Sequence, residues 1–265
     1  MDQELSIIIP AHDSYKDVVL LWCEALNKVW KECPFKIIWA NCEEKLFEQN
    51  VEVINVGSEV SFAKRLKHGI QYANTKYVLV WVEDYILTNK IDPNELYDLI
   101  SIMEREECVH TRLFKGSKRG SQLLDERCKL YTCNRNKPYA ISINYGLFDA
   151  SYLLSILQDE WSGWDIERYF LDLSAKYENP KCLYSDKDIG KVVHLVQKGK
   201  IIPEAEKKLE LLNLDLLKNK REEMTLKECI LYNLTTFFSQ NTSPKLRKKI
   251  KKIVQLFGVK FVTKQ

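Results

Sequence analysis

The chain has 265 residues, of which 45% are hydrophobic and 29% charged, a composition typical of a globular protein with ample core. No apolar run approaches the roughly 18–20 residues of a membrane-spanning helix, which argues against a helical membrane protein. The net charge of +3 is uneven, because residues 244–265 hold eight lysines and arginines and no acid. A mildly acidic body therefore precedes a basic tail.

The first hundred residues alternate between predicted strands and helices. Leu5 to Pro10 is typical of a buried strand that stops at proline, and Asp92-Pro93 marks a helix start. The predicted strands are residues 5–9, 35–39, 51–56 and 77–82, and the predicted helices are 18–30, 62–73 and one beginning at 93. This alternation predicts an α/β fold with a mostly parallel sheet flanked by helices.

The stretch from Phe62 to Leu87 is the most informative part of the chain. It predicts a helix, a short turn and a buried strand, after which Glu83 and Asp84 follow directly. In open α/β sheets, ligands bind just outside the carboxyl ends of the strands. The two carboxylates are therefore a candidate metal or phosphosugar site, and the alternative is a solvated turn.

The rest of the chain is less regular. Its predicted elements are a mobile loop over 115–137, a strand over 139–148, a loop entering a helix over 161–177, and helices over 203–221 and 225–240. We expect one domain over residues 1–200 and a helical C-terminal extension over 201–265.

Eight cysteines are scattered along the chain. They show no CxxC pair and no Cys/His spacing typical of zinc. The acids Asp2 and Glu4 are the wrong flank for a cleavable signal before Ile7. We therefore expect reduced thiols in a cytoplasmic protein.

The order of these features resembles the nucleotide-sugar half of a GT-A glycosyltransferase of the family 2-like kind. The resemblance lies in SIIIPAHD at 6–13 and GIQYANTKYVLVWVED at 69–84. The pattern Ser61-Phe62-x-x-Arg65-Leu66, with Trp164-Asp165-Ile166-Glu167 downstream, is similar to a subgroup from bacterial capsule and surface-polysaccharide loci. The resemblance covers roughly residues 5–200 and implies a GT-A-like sheet that binds a nucleotide sugar.

The resemblance implies donor-binding roles for residues that follow the first strand. Pro10 ends that strand, His12 would stack on or hydrogen-bond the base, and Asp13 would reach the nucleoside. Arg65 could pair with the diphosphate or the carboxylates, because guanidinium suits planar anions. The alternatives are a helix N-cap for Asp13 and a solvated loop position for His12.

Transfer needs stabilisation of the leaving diphosphate, which Mg²⁺ or Mn²⁺ held by carboxylates can provide. Asp84 is the first candidate ligand and Glu83 the second. The resemblance implies that His194 completes the site, although a core histidine is the alternative. The family's DxD pattern would place a second Asp at position 85, where Tyr85 stands, and Asn41-Cys42-Glu43-Glu44 replaces another usual Asp. A weak, differently filled or absent metal site therefore stays open.

A second acidic group is expected on the acceptor side. Either Asp165 or Glu167 would be the general base that deprotonates the acceptor hydroxyl, with helix-start capping as the alternative for Asp165. Trp161 and Trp164 would stack on acceptor sugar rings or belong to the core. Asn144 is a further candidate for hydrogen bonds to the sugar.

The basic tail has apolar residues on one helical face over 245–261. Such a basic amphipathic helix suits an anionic membrane surface, and it would place the protein peripherally on the inner face of the cell membrane. A helix packed on the body and nucleic-acid contact are the alternatives. We expect no nucleic-acid partner, because the body is acidic and carries no recognisable binding motif.

Together these features predict a glycosyltransferase of the hexosyltransferase type. It would move a sugar from a nucleotide-sugar donor to a surface glycan, expected to be lipid-linked, by one inverting displacement. One alternative is a non-catalytic GT-A-like partner in polysaccharide assembly. Another is a nucleotidyltransferase, which usually has a Gly-rich loop where this chain has PAHDSY.

Overall fold

The computed structural model describes residues 4–45, 50–58, 60–115, 121–133, 141–176, 181–214 and 221–241. The chain forms two compact units, Met1–Glu223 and Met224–Gln265. Residues 201–223, which we expected in the C-terminal extension, thus fall within the first unit.

The first unit is built on a central sheet of nine described strands, in the order β3-β2-β1-β4-β9-β6-β10-β8-β7. Its strands are β1 (Leu5–Ile9), β2 (Lys36–Asn41), β3 (Glu52–Asn55), β4 (Tyr77–Trp81), β6 (Cys108–Arg112), β7 (Leu123–Asp125), β8 (Leu130–Thr132), β9 (Tyr145–Asp149) and β10 (Lys181–Ser185). Four further strands lie outside this sheet: β5 (Tyr85–Asn89), β11 (Lys191–His194), β12 (Val196–Gln197) and β13 (Lys200–Ile201). Within the described sheet only β8 and β9 run opposite to the others. The predicted α/β fold with a mostly parallel sheet is confirmed.

Helices flank this sheet. They are α1 (Lys16–Val29), α2 (Phe62–Ala73), α3 (Pro93–Arg105), α4 (Ala150–Ile156), α5 (Gly163–Lys176) and α6 (Pro203–Glu210), with a short 3₁₀ helix at Asp13–Tyr15; α7 (Leu226–Asn241) belongs to the second unit. Strands β5 and β11 form a separate pair, as do β12 and β13. Strand β5 follows β4 in the chain, and both small sheets lie near the carboxyl end of β4, where the Leu195 amide donates to the Asp84 carbonyl and the Ile202 amide to the Leu195 carbonyl.

Helix α2 packs directly on the sheet through an apolar core. Leu66 of α2, Ile8 of β1 and Val78 of β4 share one buried cluster with Phe170 of α5. A Cβ at Gly69 would lie 2.7 Å from Ile8 Cγ2, so only glycine allows this close approach of helix and strand. The packing fixes the start of α2, where Arg65 lies, against the end of β1.

Aromatic side chains fill another part of the core. Trp22 of α1 meets Trp81 of β4 edge to face, with ring centroids 5.0 Å apart. Trp81 in turn contacts Tyr145 of β9 at 4.8 Å. This stack anchors the carboxyl end of β4, which leads into Glu83 and Asp84.

Two predicted boundaries in the middle of the chain were wrong. The expected mobile loop contains β7 and β8, because Leu130–Thr132 pairs antiparallel with β10. The expected strand from Tyr139 begins at Tyr145; residues 134–140 lie outside the described part. Before Tyr145, the Ser142 carbonyl faces His110 Nε2 at 3.3 Å and the Ile143 amide donates to Glu167, so these two backbone groups do not take part in strand pairing.

The predicted helix over 203–221 was too long. Helix α6 ends at Glu210, and Asn213 follows with φ of 51°, a left-handed conformation that stops a helix. The basic tail at 245–261 lies outside the described residues, and its amphipathic helix stays a prediction. Within the described part of the chain, no helix combines the length and apolarity that a membrane span requires.

Candidate functional site

The candidate site lies where the strand order reverses. Strands β1 and β4 are parallel neighbours, with β2 and β3 beyond β1 and β9 beyond β4. Connections leaving the two carboxyl ends therefore go to opposite sides and leave a crevice, which is where α/β sheets bind ligands. Pro10 follows β1, and Glu83-Asp84 follow β4. The structure thus brings both predicted donor-side segments to one edge.

Asp84 and His194 form the polar centre of this edge. His194 Nε2 lies 3.1 Å from Asp84 Oδ2, and both side chains are about one-fifth exposed. The β5–β11 pair aligns His194 opposite Tyr85, and the two rings stack at 4.8 Å with an interplanar angle of 14°. The Leu195 amide also donates to the Asp84 carbonyl at 2.8 Å. His194 is therefore partly exposed beside Asp84 at the candidate site, whereas the alternative of a core histidine would have buried it.

Asp84 and His194 could hold a metal ion, but they supply only part of its coordination shell. Asp84 Oδ1 is buried and has no hydrogen-bond partner in the described structure, as expected of an oxygen kept for a ligand. No group of three or more His, Cys, Asp or Glu side chains that could hold a metal occurs in the described residues. Asp84 and His194 could therefore hold a cation only as a pair, with diphosphate oxygens and water completing the shell.

Glu83 differs from its neighbour. Its side chain is buried, and burial, followed by the charge of Asp84, raises the pKa of this carboxyl well above its ordinary value. A carboxyl that tends to hold its proton is a weak metal ligand but a good hydrogen-bond donor. Glu83 is therefore less suited than Asp84 to the predicted metal role.

Arg65 is buried at the same edge. Its Nε donates to the Pro10 carbonyl at 3.1 Å, and a second guanidinium nitrogen donates to Val60 O. Burial lowers the pKa of this guanidinium, whereas Cys42 and Glu83 oppose the shift. Arg65 therefore ties α2 to the end of β1 and places positive charge near Glu83.

Asp13 has a role that neither sequence-based interpretation predicted. Its Oδ1 accepts from the Cys42 amide at 2.8 Å and its Oδ2 from the Glu43 amide at 2.9 Å. The N-cap of the 3₁₀ helix is His12, whose Nδ1 accepts from the Ser14 amide at 3.1 Å. Asp13 joins the loop after β1 to the loop after β2, and the alternative of an N-cap role for Asp13 is wrong, since His12 and Tyr15 occupy the N-cap positions.

Tyr15 and Arg221 were not predicted, yet they lie beside the carboxylates. Arg221 forms a two-pronged ion pair with Asp17, at 2.7 and 2.8 Å, and its guanidinium lies 4.6 Å from the Tyr15 ring centre. Burial and then the charge of Glu83 raise the pKa of Tyr15. Residue 221 lies in a run of charged residues, and nothing in that run indicates that Arg221 pairs with Asp17.

In the second acidic group, the Glu167 side chain is held by a backbone hydrogen bond. Its Oε1 accepts from the Ile143 amide at 3.1 Å. Burial raises the pKa of Glu167 to about 7, while hydrogen bonds from Ile143 and Ser142 and the charge of Arg112 oppose the shift. A carboxylate with this pKa can accept a proton at neutral pH and release it again.

Asp165 is committed to the start of α5. Its Oδ2 accepts from the Ser162 amide at 3.0 Å and from the Ser162 hydroxyl at 2.6 Å, and Oδ1 accepts from Arg168 at 2.6 Å. The Ser162 bonds lower the pKa of Asp165. The Asp165 amide in turn donates to the Ser162 hydroxyl at 3.3 Å. The two residues therefore form a capping box, and the capping alternative for Asp165 is confirmed.

Asn144 connects the two acidic groups. Its carbonyl accepts from the Val82 amide at 2.9 Å, and its Nδ2 donates to the Tyr85 hydroxyl at 3.4 Å. The preceding residue, Ile143, holds Glu167. The loop before β9 therefore links the region around Asp84 to the candidate base.

The two tryptophans differ in exposure. Trp164 is 51% exposed at the start of α5. Trp161 is partly buried against the apolar cluster, and its ring lies 5.3 Å from that of Tyr169. Trp164 is therefore placed to meet a ligand, whereas Trp161 mainly supports the core.

Comparison with known proteins assigns no family. No protein-family model matches the chain, and no curated sequence matches it. Among solved structures, TarS from S. aureus shares 16% identity at a TM-score of 0.48, covering 82% of this chain and 40% of that chain. This chain thus spans less than half the length of that TarS chain.

Two further solved structures show a similar degree of likeness. TarS 1-349 in complex with UDP-GlcNAc shares 15% identity at a TM-score of 0.46, covering 82% of this chain and 68% of that chain. A UDP-glucose pyrophosphorylase complexed with UDP-glucose shares 9% identity at a TM-score of 0.45, covering 80% and 98%. These likenesses assign neither a family nor an activity to this chain.

Proposed function

We propose that the protein is a glycosyltransferase that transfers a sugar from a nucleotide-sugar donor to a hydroxyl of a glycan acceptor. The observation that carries the proposal is the placement of two different acidic groups around one strand edge. Asp84, paired with His194, keeps an unpartnered buried oxygen, and Glu167 has a pKa near 7. Glycosyl transfer needs these two functions, a diphosphate site and a base.

On the donor side, the chain's own residues would bind and orient the diphosphate. Asp84 and His194 would hold Mg²⁺ or Mn²⁺, which when bound neutralises charge on the leaving diphosphate. Arg65 would add positive charge, and Glu83 in its protonated form would donate a hydrogen bond. His12, which is exposed beside the end of β1, would contact the nucleoside.

On the acceptor side, Glu167 would take the proton from the acceptor hydroxyl. That oxygen would then form a bond to the anomeric carbon of the donor sugar. The bond from this carbon to the diphosphate would break, and the nucleoside diphosphate would leave with the electron pair. One displacement of this kind inverts the anomeric carbon, as the family 2-like resemblance implies. Trp164 would offer a stacking face to an acceptor sugar.

The biological setting follows from the resemblance and from the tail. We infer a bacterial surface or capsule glycan as the acceptor, carried on a lipid. The basic segment 245–261 would then hold the enzyme peripherally at the inner face of the cell membrane. Hexosyl transfer is the reaction type that fits this setting.

Two alternatives make different predictions. A non-catalytic partner protein is favoured by Tyr85, which stands where the family pattern has a second Asp. A nucleotidyltransferase is less favoured, because the loop after β1 has no glycine and is fixed by the His12 cap and the Asp13 bonds. It would also require a nucleoside triphosphate as substrate.

The first test is nucleotide binding, measured by thermal shift with UDP, GDP, CDP and dTDP, with and without Mn²⁺. We expect a metal-dependent shift with one nucleotide, and sugar transfer from the corresponding nucleotide sugar. Binding without hydrolysis or transfer would favour the non-catalytic alternative. If none of the nucleotides shifts the melting temperature, the proposed donor site is wrong.

A further inference from the structure

A polar pocket of about 420 Å³ opens beside the 3₁₀ helix that follows β1. Three cationic side chains, Lys198, Lys200 and Arg221, and two carboxylates, Asp17 and Glu222, are part of its lining. None of the described lining residues carries an apolar side chain. Pockets for bases and lipid chains are mostly apolar, so this composition favours a small, hydrated, charged ligand.

The two carboxylates are already paired. Asp17 accepts from Arg221 at 2.7 and 2.8 Å, and Glu222 lies 3.5 Å from Lys200 Nζ. Lys198 forms no ion pair with any residue that the structure describes, and its side chain is exposed. The pocket therefore keeps one unmatched positive charge at its rim, which favours an anion.

The backbone holds Lys198 in place. It is at the tip of the β12–β13 hairpin, where Lys198 has φ of 52° and Gly199 has φ of 80°. Two positive φ values in a two-residue loop are the mark of a tight type I′ hairpin turn. Arg221 also donates to the Gly199 carbonyl at 3.4 Å. The unmatched cation thus sits on a short turn braced by a second cation.

The pocket adjoins the candidate active site. The Ser14 carbonyl accepts from Arg221 at 2.8 Å, and the next residue, Tyr15, lies under the same guanidinium. Tyr15 is in turn close enough to Glu83 and Asp84 for their charges to act on its hydroxyl. The pocket therefore lies next to the candidate donor site.

We propose that this pocket binds a phosphate group. A tetrahedral oxyanion matches the unmatched ammonium of Lys198, while Lys200 and Arg221 add positive charge to the same pocket. The phosphate would come either from the donor diphosphate or from a phosphate carried by the acceptor. Assigning it to a reactant rests on the proposed function, whereas phosphate binding itself does not.

The test is titration of the full chain with inorganic phosphate at constant ionic strength, followed by calorimetry or ³¹P line broadening. Lys198→Asn removes the charge but suits the left-handed backbone, because Asn tolerates positive φ. Lys198→Glu reverses the charge at the same exposed site. Lys31→Glu is the matched control. Lys31 is also an exposed lysine, but it lies just after the C-terminal end of α1, whereas Asp17 of the pocket lies at the N-terminal end of that helix.

We expect phosphate binding to weaken at least tenfold in both Lys198 variants and to stay unchanged in Lys31→Glu. Undetectable binding to the unaltered chain, or equal binding to Lys198→Asn, would overturn the proposal. Circular dichroism melting of each variant confirms that it is folded before its affinity is compared.

Competition then identifies the source of the phosphate. If the nucleoside diphosphate found in the thermal-shift panel displaces inorganic phosphate, the pocket takes the donor diphosphate. If both bind together, the phosphate belongs to the acceptor. Phosphate binding in a chain that binds no nucleotide would leave this site standing and refute only the proposed function.

Discussion

His194 Nε2 lies 3.1 Å from Asp84 Oδ2, although the two residues are 110 positions apart in the chain. The antiparallel pairing of β5 with β11 produces this contact, since it aligns His194 with Tyr85 and its neighbour Asp84. The Tyr85 ring, at the position where the DxD pattern of the resembled family has a second aspartate, stacks on the imidazole. Tyr85 thus orients a different candidate ligand instead of supplying one.

Asp84→Asn and His194→Ala should each weaken Mn²⁺ binding in the presence of the nucleotide by at least about tenfold, the scale on which perturbed metal sites lose affinity. The measurement is the Mn²⁺ dependence of the thermal shift. Asp98→Asn serves as the control, because Asp98 pairs only with the exposed Arg127 among the ion pairs described. Unchanged Mn²⁺ affinity in both site variants would rule out the Asp84–His194 pair as the metal site.

Glu167→Gln should lower the rate of sugar transfer by about 10²- to 10⁴-fold, the usual contribution of a general base. Nucleotide binding should be preserved, because Glu167 is held by Ile143 and not by the β4 edge. Asp165→Asn is the matched control: it should cost helix stability but leave transfer largely intact. The reverse result would make Asp165 the base.

The same residue predicts the pH dependence of transfer. Because burial raises the pKa of Glu167 to about 7, the carboxylate form that accepts a proton is depleted below that pH. The turnover rate under saturating substrate should therefore rise as the pH increases through about 7. A rate that is flat from pH 5.5 to pH 8.5, roughly 1.5 units on each side of a single titration, would contradict this role.

Asp13→Ala should destabilise the fold by about 2 kcal/mol, because it removes the acceptor of two backbone N–H groups. The free energy of unfolding in urea measures this change. Glu43→Gln, at an exposed side chain in the loop after β2 that Asp13 holds, should have little effect. A stability equal to that of the unaltered chain would show that water replaces the carboxylate at no cost.

Glu83→Gln should stabilise the protein increasingly as the pH rises. The folded-state pKa of Glu83 is raised above its ordinary value of 4.5, so the unfolded chain releases this proton first. Stability is therefore greatest below the unfolded pKa and is lost as the pH rises towards the folded pKa, a loss that glutamine does not share. Melting temperatures from pH 5 to pH 9, compared with exposed Glu32→Gln, test this sign.

The candidate site was only partly predictable. The spacing of Glu83 and Asp84 after a buried strand placed them at the carboxyl edge, and the structure puts them there. The choice between Asp165 and Glu167 was open in the sequence, because both follow Trp164 at a helix start. Ser162 then engages Asp165, and the bend at Ile143 reaches Glu167, a contact across 24 positions.

The sequence by itself determined the α/β alternation, the start of α2 and α3, and the position of the first acidic pair. These features depend on local periodicity, capping and the end of an apolar run, which neighbouring residues settle among themselves. Only the tertiary structure decided that His194 meets Asp84, that Asp13 bridges two loops, and that Arg221 reaches Asp17. Those contacts join residues that are far apart in the sequence and are brought together by strand pairing and the path of the chain, which no local pattern encodes.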